Sequence, residues 1–286
     1  MRKTTQLRTL LQERKTVVAP GVFDGLSARL VAKAGFPAAY ASGGAIARSC
    51  GIPDLGLLSL AEIADRLAQI VDVVDIPVIA DADNGYGNAL NAQRAARAFE
   101  RAGVAAFHLE DQTFPKRCGH YQDKSVVPVA EMVGKLKAVR DCLQDPDFIV
   151  IARTDAIAVE GFEAAMNRCF AYAEAGADVL FLDAPTSEAQ IAEIGRRLPG
   201  WKLINMFQGG KTPLLPVSQL EQLGFQIVII PSDLQRAAIK AMQRTLEAIK
   251  RDGSSKSVLD DLAEFDEREA LVATADFLER GRRYSS

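Results

Sequence analysis

The sequence predicts an α/β protein folded as a closed (β/α)₈ barrel, a TIM-type architecture. Three observations predict it. Eight short β-branched, mostly apolar runs recur along the chain. Amphipathic segments with apolar residues three and four apart separate them. Such alternation means parallel strands buried on both faces, and eight units in about 230 residues suit a closed barrel.

The elements follow in order. Residues 4–15 read as a helix laid before the barrel. The eight runs are TVVAPGVF, AAYASG, PVIADAD, AAFHLED, FIVIARTDA, DVLFLDA, KLINMF and IVIIPS. Helical patterns such as LAEIADRLAQIVDVV and GFEAAMNRCFAYAEAGA lie between them. An open doubly wound sheet is the runner-up, but its first turn, here APGVFDGLSA, lacks the dinucleotide glycine spacing. The polar break DGSSKS (252–257) ends the pattern, and VLDDLAEF and EREALVATADFLERG beyond it read as two further helices. We therefore divide the chain into a catalytic barrel, 1–251, and a helical extension, 252–286, packed on the barrel or on a neighbouring subunit.

Composition narrows the function. With 286 residues, 48% hydrophobic and 25% charged, the chain has ample apolar surface to offset the entropy of ordering. A net charge of −3 gives no electrostatic case for nucleic acid. No apolar run reaches the ~18 residues of a bilayer span, and the polar start lacks the apolar stretch of a secretory signal. The cysteines, Cys50, Cys118, Cys142 and Cys169, are widely spaced without a CxxC. That fits a reducing cytoplasm and neither a disulfide framework nor a zinc site.

Polar residues recur where a barrel interior should be apolar. Residues two apart on a strand share a face. Tyr40 and Ser42 do so on the second strand, Asp81 and Asp83 on the third, His108 and Glu110 on the fourth, and Arg153 and Asp155 on the fifth. Asp183 follows Phe181 on the sixth and Asn205 follows Leu203 on the seventh. Each group sits at the C-terminal end of its run, where barrel active sites are built. Asp81, Asp83 and Glu110 would then lie together, with Asp54 from the IPDLG loop nearby. Crowded carboxylates repel and are costly to desolvate, so either some are protonated, or a cation sits among them, or they pair with Arg153, Lys116 or Arg117. Oxygen ligands without Cys or His favour a hard cation, and we read it as Mg²⁺ keeping several waters.

A second feature is Lys116-Arg117-Cys118-Gly119-His120. A thiol flanked by basic residues and a histidine has a depressed pKa and can exchange a proton near neutrality. His108 and His120 are the two histidines of the chain, and both flank the acidic cluster. Other motifs fail. Gly85-Tyr86-Gly87 lacks the third glycine of a dinucleotide turn, and Gly209-Gly210-Lys211-Thr212 would need a glycine at Asn205 to be a phosphate loop.

Together YASGG (40–44), PDLG (53–56), DADNGYGN (81–88), HLEDQ (108–112), KRCGH (116–120), ARTDA (152–156) and NMFQGGKTP (205–213) resemble the isocitrate lyase / phosphoenolpyruvate mutase superfamily, over about residues 16–250. The likeness is to its short lyases, of the 2-methylisocitrate and 2,3-dimethylmalate type. The resemblance implies Mg²⁺ (with Mn²⁺ as a substitute), α-oxycarboxylate substrates, and a homotetramer, a dimer of dimers exchanging C-terminal helices between barrels. By position it implies that Asp81, Asp83 and Glu110 hold the metal directly or through water, with Asp54 nearby. Tyr40, Ser42, Gly43 and Gly44 would bind the oxyacid end, and Arg153 and His108 substrate oxygens. Cys118, on a gating loop that includes Lys116, would protonate the leaving carbanion, while Gly119, His120 and Asn205 would contact a second carboxylate. Two departures touch the pocket: Asp183 stands where the lyases typically carry Glu, and Gln208 where the dimethylmalate-type enzymes often carry Glu. Both alter the polarity that selects substrates.

The reaction so implied is a retro-aldol cleavage of a 2-hydroxy di- or tricarboxylate to a 2-oxo acid such as pyruvate plus a second carboxylate. The cysteine of KRCGH favours this over phosphonate chemistry. The alternatives are a carboxyvinyl-carboxyphosphonate phosphorylmutase-type enzyme, an oxaloacetate hydrolase or decarboxylase, and a non-catalytic dicarboxylate-binding protein. Retention of every metal-site position and of the cysteine disfavours the last.

Overall fold

The computed structural model describes residues 1–13, 15–117 and 124–285. Eight strands, β1 (Val17–Val22), β2 (Ala39–Ala41), β3 (Val78–Asp81), β4 (Ala106–Glu110), β5 (Ile149–Thr154), β6 (Val179–Leu182), β7 (Trp201–Asn205) and β8 (Ile227–Ile230), pair in sequence order into a closed barrel. Every pairing is parallel, and β8 returns to β1 with Ile227 opposite Val17. All eight expected strands are present, each shorter than its apolar run because the terminal residues turn into loops.

The helices are α1 (Lys3–Gln12), α2 (Gly25–Lys33), α3 (Gly43–Ser49), α4 (Leu60–Asp72), α5 (Ala89–Ala102), α6 (Val129–Cys142), α7 (Ile157–Glu160), α8 (Phe162–Glu174), α9 (Glu188–Arg197), α10 (Val217–Gln222), α11 (Asp233–Asp252), α12 (Phe265–Leu271) and α13 (Thr274–Arg283). Their starts carry local signals. Asp24 with Ser27 and Ser59 with Glu62 form reciprocal capping boxes at α2 and α4, satisfying backbone N–H groups that the first turn leaves free. Gly103 and Gly253 close α5 and α11 in the left-handed conformation that glycine adopts without penalty.

Two apolar cores result. The larger lies between barrel and outer helices, and includes Leu67, Phe99, Phe107, Leu136 and Phe148. The smaller fills the barrel itself with Ile79, Ile149, Ile151, Phe181, Leu203 and Ile227. α1 plugs its N-terminal end. Leu7 and Leu11, one helical turn apart, are buried there, each worth about 2 kcal/mol relative to exposure. Thr4 and Arg8 bind Asp145 and Asp178 on the strand-entry loops. With the bottom closed and the middle packed, the barrel interior leaves space for polar side chains at its C-terminal mouth.

The C-terminal extension departs from expectation. The first four residues of VLDDLAEF lie in a 3₁₀ segment, Lys256–Asp261, rather than in an α-helix, and its last, Phe265, begins α12. The second stretch is broken at Ala273, whose φ of 58° stops α12 and restarts the chain as α13. Among the described residues, no helix is long and apolar enough to cross a membrane.

Candidate active site

The barrel register sets the site. Asp81 stands opposite His108, and Glu110 opposite Arg153, so polar residues from β3, β4 and β5 line up at one level above the apolar plug. Above them opens a cavity of about 330 Å³, within the range of small-molecule sites. Tyr40, Ser42, Gly44, Asp54, Asp81, Glu110, Lys116, Arg153, Asp183 and Asn205, all expected from the sequence, line it.

One wall is acidic with a lysine at its centre. Lys116 Nζ donates to Asp54 Oδ1 at 2.6 Å. It lies as near to Asp83 Oδ1, an ionic contact outside hydrogen-bond alignment. Burial opposes the ammonium charge, but Asp83, Asp81 and Asp54 outweigh it and hold the Lys116 pKa well above its ordinary value. Asp83 is not placed by strand alternation, since β3 ends at Asp81. Its φ of 47° turns its side chain towards the lysine instead.

Asp81 is the best-supported carboxylate. Oδ1 accepts the Asp83 N–H at 3.0 Å, and Oδ2 accepts the Gly43 N–H at 3.3 Å. Burial pushes its pKa up, but His108, Lys116 and Arg153 more than compensate and lower it to about 2. The close approach of α3 requires glycine: a Cβ on Gly43 would stand 2.8 Å from Asp81 Oδ2, and one on Gly44 2.7 Å from Asp54 Oδ2. Ser42 caps α3, its hydroxyl accepting the Ala45 N–H at 3.3 Å.

His108 is wholly buried and shares a 2.7 Å hydrogen bond between Nε2 and the Tyr40 hydroxyl, leaving Nδ1 without a partner. Burial lowers its pKa to about 4, so the ring is neutral near pH 7. Burial raises the Tyr40 phenol well above its usual value, with Asp81 adding to the shift. Glu110 is held towards its protonated form by burial, against the pull of Arg153, and its Oε1 has no partner. Burial also raises Asp83, to about 6.

A second polar group centres on Arg153, whose Nε lies 3.4 Å from Glu110 Oε2. Its Nε and Nη2 fork onto the Asp155 carboxylate at 2.9 and 3.1 Å, Nη2 also donates to Asp183 at 3.1 Å, and the guanidinium lies over the Phe181 ring. Asp183 thus serves as an arginine partner rather than a free acid. Asn205 lines the cavity with Oδ1 unpartnered. Gln208 is exposed in the turn after β7 and does not line the cavity; its carbonyl accepts from Arg236. Cys118, Gly119 and His120 lie outside the described residues. Asp155 was noted beside Arg153 without a role, Arg117 was named only as an alternative partner of the acids, and Arg48 and Arg236 at the cavity rim were missed. The shared face of residues 153 and 155 was the signal for the first; the others come from loops and helices, which carry no strand register.

Whether these residues suit a divalent cation can be judged from the donors. Among the described residues, no three His, Cys, Asp or Glu side chains converge into a cage. Mg²⁺ does not need one, since it takes one or two carboxylates and keeps waters for the rest. An ionised Asp81 and the buried, unpartnered Glu110 Oε1 are hard oxygen donors of that kind. The alternatives for the acids coexist: Glu110 and Asp83 lean towards protonation, Lys116 and Arg153 pair with the acids, and oxygen atoms remain for a hydrated ion.

Residues 7–250 match the family model described as phosphoenolpyruvate phosphomutase. The chain is 42% identical to a 2,3-dimethylmalate lyase of Eubacterium barkeri, covering all of this chain and 99% of that protein. It is 43% identical to a 2-methylisocitrate lyase of Aeropyrum pernix, over 96% of this chain and 88% of that one. A crystal structure of 2,3-dimethylmalate lyase superposes with a TM-score of 0.93 at 35% identity, covering 99% and 95% of the two chains. A phosphonopyruvate hydrolase solved with oxalate and Mg²⁺ superposes at 0.89 with 31% identity, over the full length of both. With the barrel, its polar mouth and this agreement over almost the whole length, the chain belongs to the phosphoenolpyruvate phosphomutase family and is an enzyme, a lyase of the phosphoenolpyruvate mutase/isocitrate lyase superfamily.

Proposed function

We propose that the chain cleaves the C2–C3 bond of a 2-hydroxy di- or tricarboxylate of the alkylmalate or 2-methylisocitrate kind, giving a 2-oxo acid such as pyruvate and a second carboxylate. The observation that carries this reading is the polar mouth: Asp81, Glu110 and Arg153, whose Nε lies 3.4 Å from Glu110 Oε2, line one cavity large enough for a small polyacid. The names of the two lyase relatives support the reaction type. The Mg²⁺ and oxalate of the hydrolase complex support a divalent ion and an oxyacid ligand.

Asp81, with Asp83 and Glu110 through water, would hold Mg²⁺, with Mn²⁺ as a substitute. When bound, such an ion lowers the cost of deprotonating a chelated hydroxyl. The chain's own residues do the rest. Ser42, Gly43 and Gly44 bring the α3 backbone against the oxyacid end. Arg153, fixed by Asp155 and Asp183, neutralises a substrate carboxylate and the charge that develops as the bond breaks. The neutral His108 and the Tyr40 hydroxyl offer hydrogen bonds without adding charge. As C2–C3 breaks, the 2-hydroxyl has passed its proton to solvent at the mouth, C2 becomes a carbonyl, and the electron pair left on C3 takes a proton. Cys118 is assigned that donation, on the KRCGH resemblance. Gly119, His120 and Asn205 receive the second carboxylate, and Lys116 binds substrate from its place beside Asp54. The wider proposal includes a cytoplasmic homotetramer, a dimer of dimers that exchanges its C-terminal helices.

The test is release of a 2-oxo acid from 2-methylisocitrate, 2,3-dimethylmalate, oxaloacetate and phosphonopyruvate. The expected result is pyruvate from one of the first two, abolished by chelation and restored by Mg²⁺ or Mn²⁺. Full activity after exhaustive chelation removes the metal, and oxalate from oxaloacetate without alkylmalate cleavage removes the lyase assignment.

A further inference from the structure

Behind the barrel wall, on the helix side of β4 and β5, lies a buried polar cluster that no step above uses. Its centre is Asp111, the residue after β4, with no solvent exposure. Oδ2 accepts from the Thr154 hydroxyl at 2.6 Å, the Tyr172 hydroxyl at 2.8 Å and Arg168 Nη1 at 3.3 Å. Oδ1 accepts the Asp155 N–H at 3.0 Å. Arg168, on α8, is itself held rigidly. Its Nε and Nη2 fork onto Glu160 at 2.7 Å each, and Nη1 also donates to the Val127 carbonyl at 2.9 Å. A buried carboxylate with four donors in a low-dielectric setting is stiff, because each bond lost leaves a desolvated group unpaired.

The cluster grips β5 at the two residues that follow Arg153. Thr154 points outward to Asp111, whereas Arg153 and Asp155 point inward. Asp155 Oδ1 and Oδ2 then take the Arg153 fork, which fixes the plane of the guanidinium. With Nε and Nη2 engaged, Nη1 has no partner among the described residues and is the remaining edge for a ligand. We propose that Asp111, Thr154 and Arg168 are positioning residues that orient Arg153 through Asp155 and so decide which guanidinium edge meets the substrate carboxylate. None of the three lines the cavity. The inference rests on the function proposed above for its ligand, but its geometry is independent of it.

Thr154→Val keeps the shape and removes the hydroxyl that donates to Asp111 and accepts the Ala156 N–H; Thr154→Ser restores it. The probe is oxalate with Mg²⁺, followed by calorimetry. Thr154→Val is expected to weaken oxalate about tenfold, the usual cost of losing an outer support, with Thr154→Ser close to wild type. Tyr172→Phe, a gentler loss at the same carboxylate, should weaken oxalate in the same direction. In an Arg153→Lys background, Thr154→Val should cost nothing further, because the group through which it acts is gone. Unchanged affinity in Thr154→Val, or the same tenfold loss in the Arg153→Lys background, overturns the proposal. If wild type takes no oxalate, the function proposed above fails instead. Crystal structures of wild type and Thr154→Val then decide this inference: rotation of the Arg153 plane off Asp155 supports it, and an unmoved guanidinium overturns it.

Discussion

His108 and Cys118 carry opposite demands on protonation. His108 is buried neutral, with a pKa of about 4 against 6.5 when unfolded. Between those values the unfolded chain binds a proton that the native one refuses, so this group's contribution to stability falls as pH drops from 6.5 towards 4 and levels off below. Asp83, raised to about 6, works in the other sense over the same window, since its native carboxyl takes a proton more readily than the unfolded one. The net wild-type slope is therefore a difference, and His108→Asn isolates one component. Denaturant unfolding in chelator at pH 7 and pH 4.5 should show a smaller acid loss in the variant; equal losses would mean that His108 is not held neutral. The role proposed for Cys118 is instead to release a proton. Cys118→Ser is expected to lower turnover by about 10²–10⁴-fold, the usual worth of a placed acid, while Mg²⁺ and oxalate binding persist. Near-wild-type turnover would take the acid role from it. At this scale the sequence was readable where strand alternation applies: Asp81, Glu110, Arg153 and Asn205 reach the mouth as expected. Pairing of the acids with Lys116 was among the sequence alternatives, but its seat between Asp54 and Asp83 was not readable, because the first contact spans 62 positions and the second depends on the positive φ of Asp83.

Helices and strands divide the labour between holding the barrel and shaping the mouth, and two substitutions separate them. Ser59→Ala removes the cap of α4, where the Ser59 hydroxyl accepts the Glu62 N–H and Glu62 accepts in return from Ser59. A loss of about 1 kcal/mol is expected in thermal or denaturant unfolding, with turnover unchanged. Gly43→Ala is the converse. Its Cβ would press on Asp81 Oδ2, so the carboxylate or the start of α3 must shift. Mg²⁺ affinity and turnover should fall about tenfold or more with a small change in melting temperature; unaltered metal binding would show that α3 can yield without moving Asp81. The strands were legible because a parallel barrel buries both faces and leaves continuous apolar runs. The extension was not. VLDDLAEF has helical spacing, yet packing did not hold it in an α-helix, and the left-handed break at Ala273 has no glycine to announce it.

On the molecular scale, the apolar surface left uncovered by the fold is concentrated at the C-terminal end. Met242, Leu246 and Ile249 recur at four- and three-residue spacing on α11 and are 44–63% exposed. Phe265, Phe277 and Leu278, on α12 and α13, are exposed as well. Apolar side chains gathered in this way on a single chain mark an interface. α11 also brings Gln235, Arg236 and Ile239 to the cavity, so whatever covers the helix bears on the mouth. The proposed occupant is another copy of the chain, its extension laid across a neighbour's barrel in a closed, symmetric assembly. Wild type should sediment at about four times its 30.9 kDa, and Met242→Glu/Leu246→Glu should give smaller species, since the charges would have to be desolvated in the contact. Those species should keep the barrel's circular dichroism but show a raised KM, because α11 would lose its support beside the pocket. A wild-type monomer, or a tetramer indifferent to both glutamates, would leave this stripe without a partner and place any subunit contact elsewhere.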